Sequence, residues 1–100
     1  MQVVVALPSR AELRSFVRKM LCERDRLEPD STPFFESTIC RSGRICGLYY
    51  EIQGPRLLRG FAVWSGDEHR ILFYDSIGQR FAEVHLSDEP DPVKLNGGDN

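Results

Sequence analysis

Residues 44–64, Arg-Ile-Cys-Gly-Leu-Tyr-Tyr-Glu-Ile-Gln-Gly-Pro-Arg-Leu-Leu-Arg-Gly-Phe-Ala-Val-Trp, decide how this chain folds. Two runs rich in aromatic and aliphatic side chains are split by Gly54-Pro55, a turn signal too short for a crossover, so the strands on either side must run antiparallel. Similar signals stand at Ser42-Gly43, Gly66-Asp67 and Ile77-Gly78. Their spacing predicts five short strands, over about 34–40, 44–53, 57–64, 69–75 and 80–87, joined as a meander.

Upstream the period changes. Ser9-Arg10-Ala11-Glu12 is a capping box, in which the Ser9 hydroxyl accepts the amide three residues on and Glu12 reaches back. Behind it Leu13, Phe16, Val17, Met20, Leu21 and Leu27 recur at three- and four-residue steps and share one face of a helix. The opposite face carries Arg14, Arg18, Lys19, Glu23 and Arg26. Pro29 and Pro33 mark the loop that follows. Ahead of the helix, Gln2 to Leu7 is rich in Val and reads as an optional short strand. The fold class is therefore α+β: an N-terminal amphipathic helix on a five-stranded antiparallel meander. The domain spans 1–87, and an acidic flexible tail of Asp, Glu, Pro, Gly and Asn follows over 88–100.

Because side chains alternate across a strand, a register assigns every residue to one of two faces. Even-numbered loops about Gly54-Pro55 and beyond Trp64 gather Ile45, Gly47, Tyr49, Leu58, Gly60, Ala62, Trp64, Ile71, Phe73, Ala82, Val84 and Leu86 on one face. A three-residue loop Arg41-Ser42-Gly43 adds Phe35 and Ile39 to it. Gly47, Gly60 and Ala62 form a shallow trough there for the helix, with Tyr49 and Phe73 flanking Gly60. The second face then holds Cys46, Leu48, Tyr50, Ile52, Leu57, Phe61, Val63, Leu72, Tyr74 and Phe81, interrupted by Arg59, Arg70, Glu83 and His85. One helix covers one side, and an apolar face left open invites a lid or a partner. The candidate interaction surface is Leu48, Tyr50, Arg59, Phe61, Leu72 and Tyr74, with the aromatics as anchors and Arg59 stacked on a ring.

Composition sets bounds on the chemistry. The chain has 100 residues, 41% of them hydrophobic and 28% charged, an ordinary globular balance for one domain. Its longest apolar run, Val3 to Leu7, is far short of the roughly 20 residues of a membrane span. No secretory pattern surrounds that run, so a cytoplasmic location is expected. Of 13 basic residues only Lys19 and Lys94 are lysine, but a net charge of −2 argues against whole-domain binding to a polyanion.

Cys22, Cys40 and Cys46 have neither zinc-ribbon spacing nor an even count, and reduced thiols are expected. A Cys46–His85 nucleophilic pair oriented by Glu83 would need the sheet to close into a barrel. Arg41 and Arg44 at the first hairpin tip share their end of the sheet with Asp67 and Glu68, which favours neutralisation over a phosphate site. Asp75 and Arg80 are expected to pair across their turn. No phosphate loop, nucleophile elbow or metalloprotease motif is present, so no catalytic residue, cofactor or metal is assigned. The expected function is a non-enzymatic interaction domain that self-associates as a homodimer or binds a protein partner through the second face. The alternative is a small-molecule or nucleic-acid binder using the same aromatic and Arg surface, favoured if Arg59, Tyr50 and Tyr74 line a concave pocket.

Overall fold

The computed structural model describes residues 2–91 and Leu95. Strand β1 (Gln2–Ala6) leads to helix α1 (Arg10–Arg24), a 3-10 turn at Pro29–Ser31, and strands β2 (Phe34–Arg41), β3 (Arg44–Gln53), β4 (Arg59–Ser65), β5 (Arg70–Tyr74) and β6 (Arg80–Asp88). The sheet is open, in the order β1-β6-β5-β4-β3-β2, with β1 and β2 as its edges. The meander is antiparallel throughout, and β1 joins it in parallel with β6. A parallel neighbour needs a crossover, and α1 belongs to the long connection that carries the chain from one edge of the sheet to the other.

Helix α1 starts where its cap dictates. The Glu12 amide donates to Ser9 Oγ at 3.1 Å, and that hydroxyl donates in turn to the Glu12 carboxylate at 3.0 Å. The helix stops ahead of the prolines, because Arg26 adopts φ +58° and closes a Schellman motif: the Leu27 amide donates to Cys22 O at 2.8 Å and the Arg26 amide to Glu23 O at 3.2 Å. Leu13, Val17, Leu21 and Cys22 are buried, with Phe16, Met20 and Leu27 packed beside them. Each fully buried Leu or Val contributes roughly 1.5–3 kcal/mol, and this stripe is what holds the helix on the sheet.

Beneath the helix lie Leu48, Tyr50 and Ile52 of β3, Ala62 and Trp64 of β4, Ile71 and Phe73 of β5, and Val84 and Leu86 of β6. The faces expected for β4, β5 and most of β6 are as found, and Gly60 lies under Leu21, where an added Cβ would meet Leu21 Cδ2 at 3.4 Å. The face expected for β3 is inverted. Gln53 pairs with Arg59, which leaves an odd five-residue connection between the strands, whereas an even one was expected. The Gly54 amide closes that loop on Leu58 O at 2.7 Å, and odd parity turns every side chain of β3 over relative to β4. Strand β2 follows β3, so Phe34 rather than Phe35 faces the helix. The first hairpin turns on Ser42 and Gly43 alone, both at positive φ, with Arg41 opposite Arg44 and a bulge at Cys46.

A second bulge sits between Phe73 and Tyr74 of β5 and their partners in β6. It brings Phe81 to the helix side, where its ring lies 6.0 Å from Phe73 and under the Arg24 guanidinium. Past β6, Glu89 Oε1 accepts the Trp64 indole N–H at 2.9 Å, Pro90 is buried and Leu95 packs against the core. The first part of the expected tail thus belongs to the folded body, and residues 92–94 and 96–100 lie outside the described residues. Among the described residues no helix is long and apolar enough to cross a membrane.

Candidate functional site

Three strands present an aromatic strip on the side away from the helix. Odd-numbered positions of β3 and β4 point there, as do Leu72 and Tyr74 of β5. Tyr49 stands 6.0 Å from Phe61 between ring centroids, and Phe61 stacks on Tyr74 at 4.8 Å with an interplanar angle of 12°. Val63 lies between Tyr49 and Leu72 in the adjoining row. All five residues are half-buried, shielded by each other but by no described element laid across them. At the β2 edge Phe35, paired with Glu51, is 50% exposed and extends the strip.

Two charged groups bracket it. On one side Glu51 accepts from Tyr49 Oη at 2.9 Å and Gln53 Nε2 at 3.0 Å, with Arg59 Nε at 3.9 Å. The Gln53 and Tyr49 bonds hold the Glu51 carboxyl below its ordinary value, against a smaller effect of burial. Burial first, and then the Glu51 bond, push the Tyr49 phenol up to about 12, so it stays a neutral donor. On the other side Arg70 bridges Glu83 at 2.8 Å and Glu68 at 2.7 Å, while Arg80 and His85 also approach Glu83, at 3.5 and 3.0 Å. The Arg70 bond keeps Glu83 ionised below the usual carboxylate range. The result is an apolar centre with an internally neutralised polar rim.

Of the six residues expected at this surface, Arg59, Phe61, Leu72 and Tyr74 are there. Leu48 and Tyr50 are not: both are fully buried beneath the helix, because of the odd loop before β4. Tyr50 stacks on Phe34 at 5.4 Å, and its hydroxyl faces Glu36 without the alignment of a full hydrogen bond. Tyr49 of β3 and Phe35 of β2 stand on that face instead, beside Val63, which was expected there. The signal for Tyr49 was in β3 itself, since Glu51 and Gln53 alternate with Leu48, Tyr50 and Ile52 and mark the wetter side. Tyr50 lies opposite Arg59 and Tyr74 across the sheet, so these three line no common pocket.

The other candidates come apart in the same frame. Cys46 and His85 sit on β3 and β6, three strand spacings or about 14 Å apart, and the sheet does not close. Cys22, Cys40 and Cys46 are free thiols, and burial raises that of Cys22. Among the described residues no three His, Cys, Asp or Glu side chains converge as a metal site. Arg41 is paired with Asp67 at 3.3 Å, the neutralisation expected at that tip. Asp75 pairs with Arg24 at 3.8 Å rather than with Arg80, and it accepts the Ile77 and Gln79 amides within its own turn. Three shallow clefts, of about 190, 420 and 380 Å³, are lined by α1 with Phe34, by α1 with Pro29 and Asp30, and by the turns near Leu58 and Ile77. None of the three touches the aromatic strip.

Comparison with protein-family models, curated proteins and solved structures finds no match to this chain.

Proposed function

We propose that this chain is a non-enzymatic, cytoplasmic interaction domain that binds a protein partner through the open face of its sheet, with Tyr49, Phe61 and Tyr74 as anchors. The observation that carries this reading is the stacked aromatic strip on the face the helix leaves bare. Aromatic residues are the side chains that binding hot spots favour, and a polar rim that already satisfies itself leaves little charge to desolvate on docking. The neutral rim and the net charge of −2 both weigh against a nucleic-acid surface.

A photo-crosslinking residue placed at position 61 tests the reading in the native host. The expected result is one discrete protein adduct at position 61, absent when the same group is placed at Lys19 on the far side of the helix, and lost with Tyr74→Ala. Equal labelling from both positions, or none from position 61, sinks the proposal.

A further inference from the structure

Strand β2 is an eight-residue edge without proline between Phe34 and Arg41. Its backbone parity follows from one bond: the Gln53 amide donates to Pro33 O at 3.2 Å, so the odd-numbered residues Phe35, Ser37 and Ile39 direct their amides and carbonyls at β3. Phe34, Glu36, Thr38 and Cys40 direct theirs outward, and among the described residues no backbone group pairs with them. Folded proteins normally blunt such an edge with proline or with bare charge. Here the one central charge is already neutralised from the helix, since Glu36 holds Arg10 at 3.0 Å and Arg14 at 3.6 Å. Burial works against ionisation of Glu36, but Arg10 and its neighbours outweigh it and keep the carboxyl below its ordinary value.

We infer that β2 pairs antiparallel with β2 of a second copy of this chain about a two-fold axis at Ser37. A two-fold axis perpendicular to a continuous sheet sets residues of like face opposite each other, so the pairing must centre on a residue rather than between two. Centred on Ser37, the register sets Glu36 against Thr38 and Phe34 against Cys40 of the second copy, and every one of these residues has outward backbone groups to exchange. Ser37 meets its own counterpart in a non-hydrogen-bonded pair, where the chains approach to about 4.5 Å between Cα atoms and a small side chain is needed. Phe35, the exposed aromatic of this edge, falls against Ile39 of the second copy on the open face, and Glu36 meets the Thr38 hydroxyl on the other.

This self-complementarity is what selects a second copy over an unrelated strand. An eight-residue strand edge is a small contact beside the roughly 1,200–2,000 Å² of a standard interface, so the dimer is expected to be weak, with a dissociation constant on the order of tens to hundreds of micromolar. Two open faces then lie side by side in one continuous twelve-stranded sheet. The pairing does not depend on what binds the open face.

Sedimentation across that concentration range, together with directed crosslinking, tests the register. With Cys40→Ser as background, Ser37→Cys is expected to form an interchain disulfide with oxidised glutathione, while Phe35→Cys, opposite Ile39, is not. Thr38→Pro removes an outward donor and no β2–β3 bond, and is expected to abolish the dimer with the circular dichroism spectrum unchanged. Phe61→Glu is expected to leave the dimer intact, as is Tyr74→Ala, the variant that loses the position-61 adduct. A chain that stays monomeric, or crosslinks at Phe35→Cys as fast as at Ser37→Cys, overturns the inference. So does a dimer lost with Phe61→Glu and kept with Thr38→Pro. If Thr38→Pro does not fold, the two cysteine variants decide alone.

Discussion

Gly47 and Gly60 both lie inside the sheet and invite the same substitution with opposite outcomes. On Gly47 a Cβ would sit well inside 3.0 Å of the Trp64 carbonyl oxygen and 3.4 Å from its carbon, and backbone in a paired strand has no flexible end to swing away. Relief requires β3 and β4 to separate where Gly47 faces Ser65, at the loss of one or two ladder bonds worth about 0.5–1.5 kcal/mol each. Strain around the buried Trp64 adds about 1–3 kcal/mol, against a gain of roughly 0.5–1 from replacing glycine in a strand. The net expectation for Gly47→Ala is about 2–3 kcal/mol of destabilisation. On Gly60 the new methyl would meet Leu21 Cδ2 at 3.4 Å and Ile52 at 3.5 and 3.6 Å, contacts that side-chain ends can accommodate, so Gly60→Ala is expected within about 1 kcal/mol of the parent. Urea unfolding of the two variants reads the difference, with the Gly47→Ala midpoint lower by about 1 M or more. Equal midpoints, or Gly60→Ala the less stable, would refute the register given for β3 and β4.

Three further predictions concern caps, turns and the C-terminal contact. Arg26 holds a left-handed conformation that costs a non-glycine residue about 1–2 kcal/mol, so Arg26→Gly should raise the unfolding free energy by about 0.5–1 kcal/mol; a loss would mean the Schellman end is absent in solution. Arg56 and Leu57 also stand at φ +58° and +62°, in a turn whose Leu57 is 89% exposed, and replacing the pair with Asn-Gly should stabilise by about 1–2 kcal/mol in the same assay. His69 is held above its ordinary value chiefly by the hydrogen bond to Glu89, which also caps the Trp64 indole. Its contribution is therefore complete below about pH 6.5 and is lost as pH rises through the raised value. Trp64 fluorescence should shift across that window, and His69→Gln should abolish the shift. Glu36, Glu51 and Glu83 have the opposite sign, their contribution being lost only as pH falls through their lowered values.

The helix, its cap, the meander and the core faces of β4 and β5 were legible because each rests on local signals: hydroxyl and carboxylate at cap spacing, turn residues, and strict alternation. What failed depended on counting across a turn. Pro55 to Leu58 closes with left-handed Arg56 and Leu57, residues that do not advertise that geometry, and one residue of loop parity reverses a strand. The bulge that turns Phe81 toward the helix was hidden for a similar reason, since alternation breaks there without a glycine to mark it. The parallel pairing of β1 with β6 and the capture of the Trp64 indole by Glu89 join residues far apart in the chain, which no local pattern encodes. The open face was consequently placed on the right side of β4 and β5 with the wrong two members from β3.

Adjacent tyrosines on β3 separate the two sides of the sheet most cleanly, and thermal or urea unfolding of Tyr49→Ala beside Tyr50→Ala is the deciding measurement. Tyr50 is wholly buried under the helix, so its truncation should cost about 3–5 kcal/mol, whereas Tyr49→Ala should cost about 1 kcal/mol and leave a soluble, cooperatively folding chain. The reverse order would put Tyr49 in the core and Tyr50 outside, and the aromatic strip of the open face could not include Tyr49.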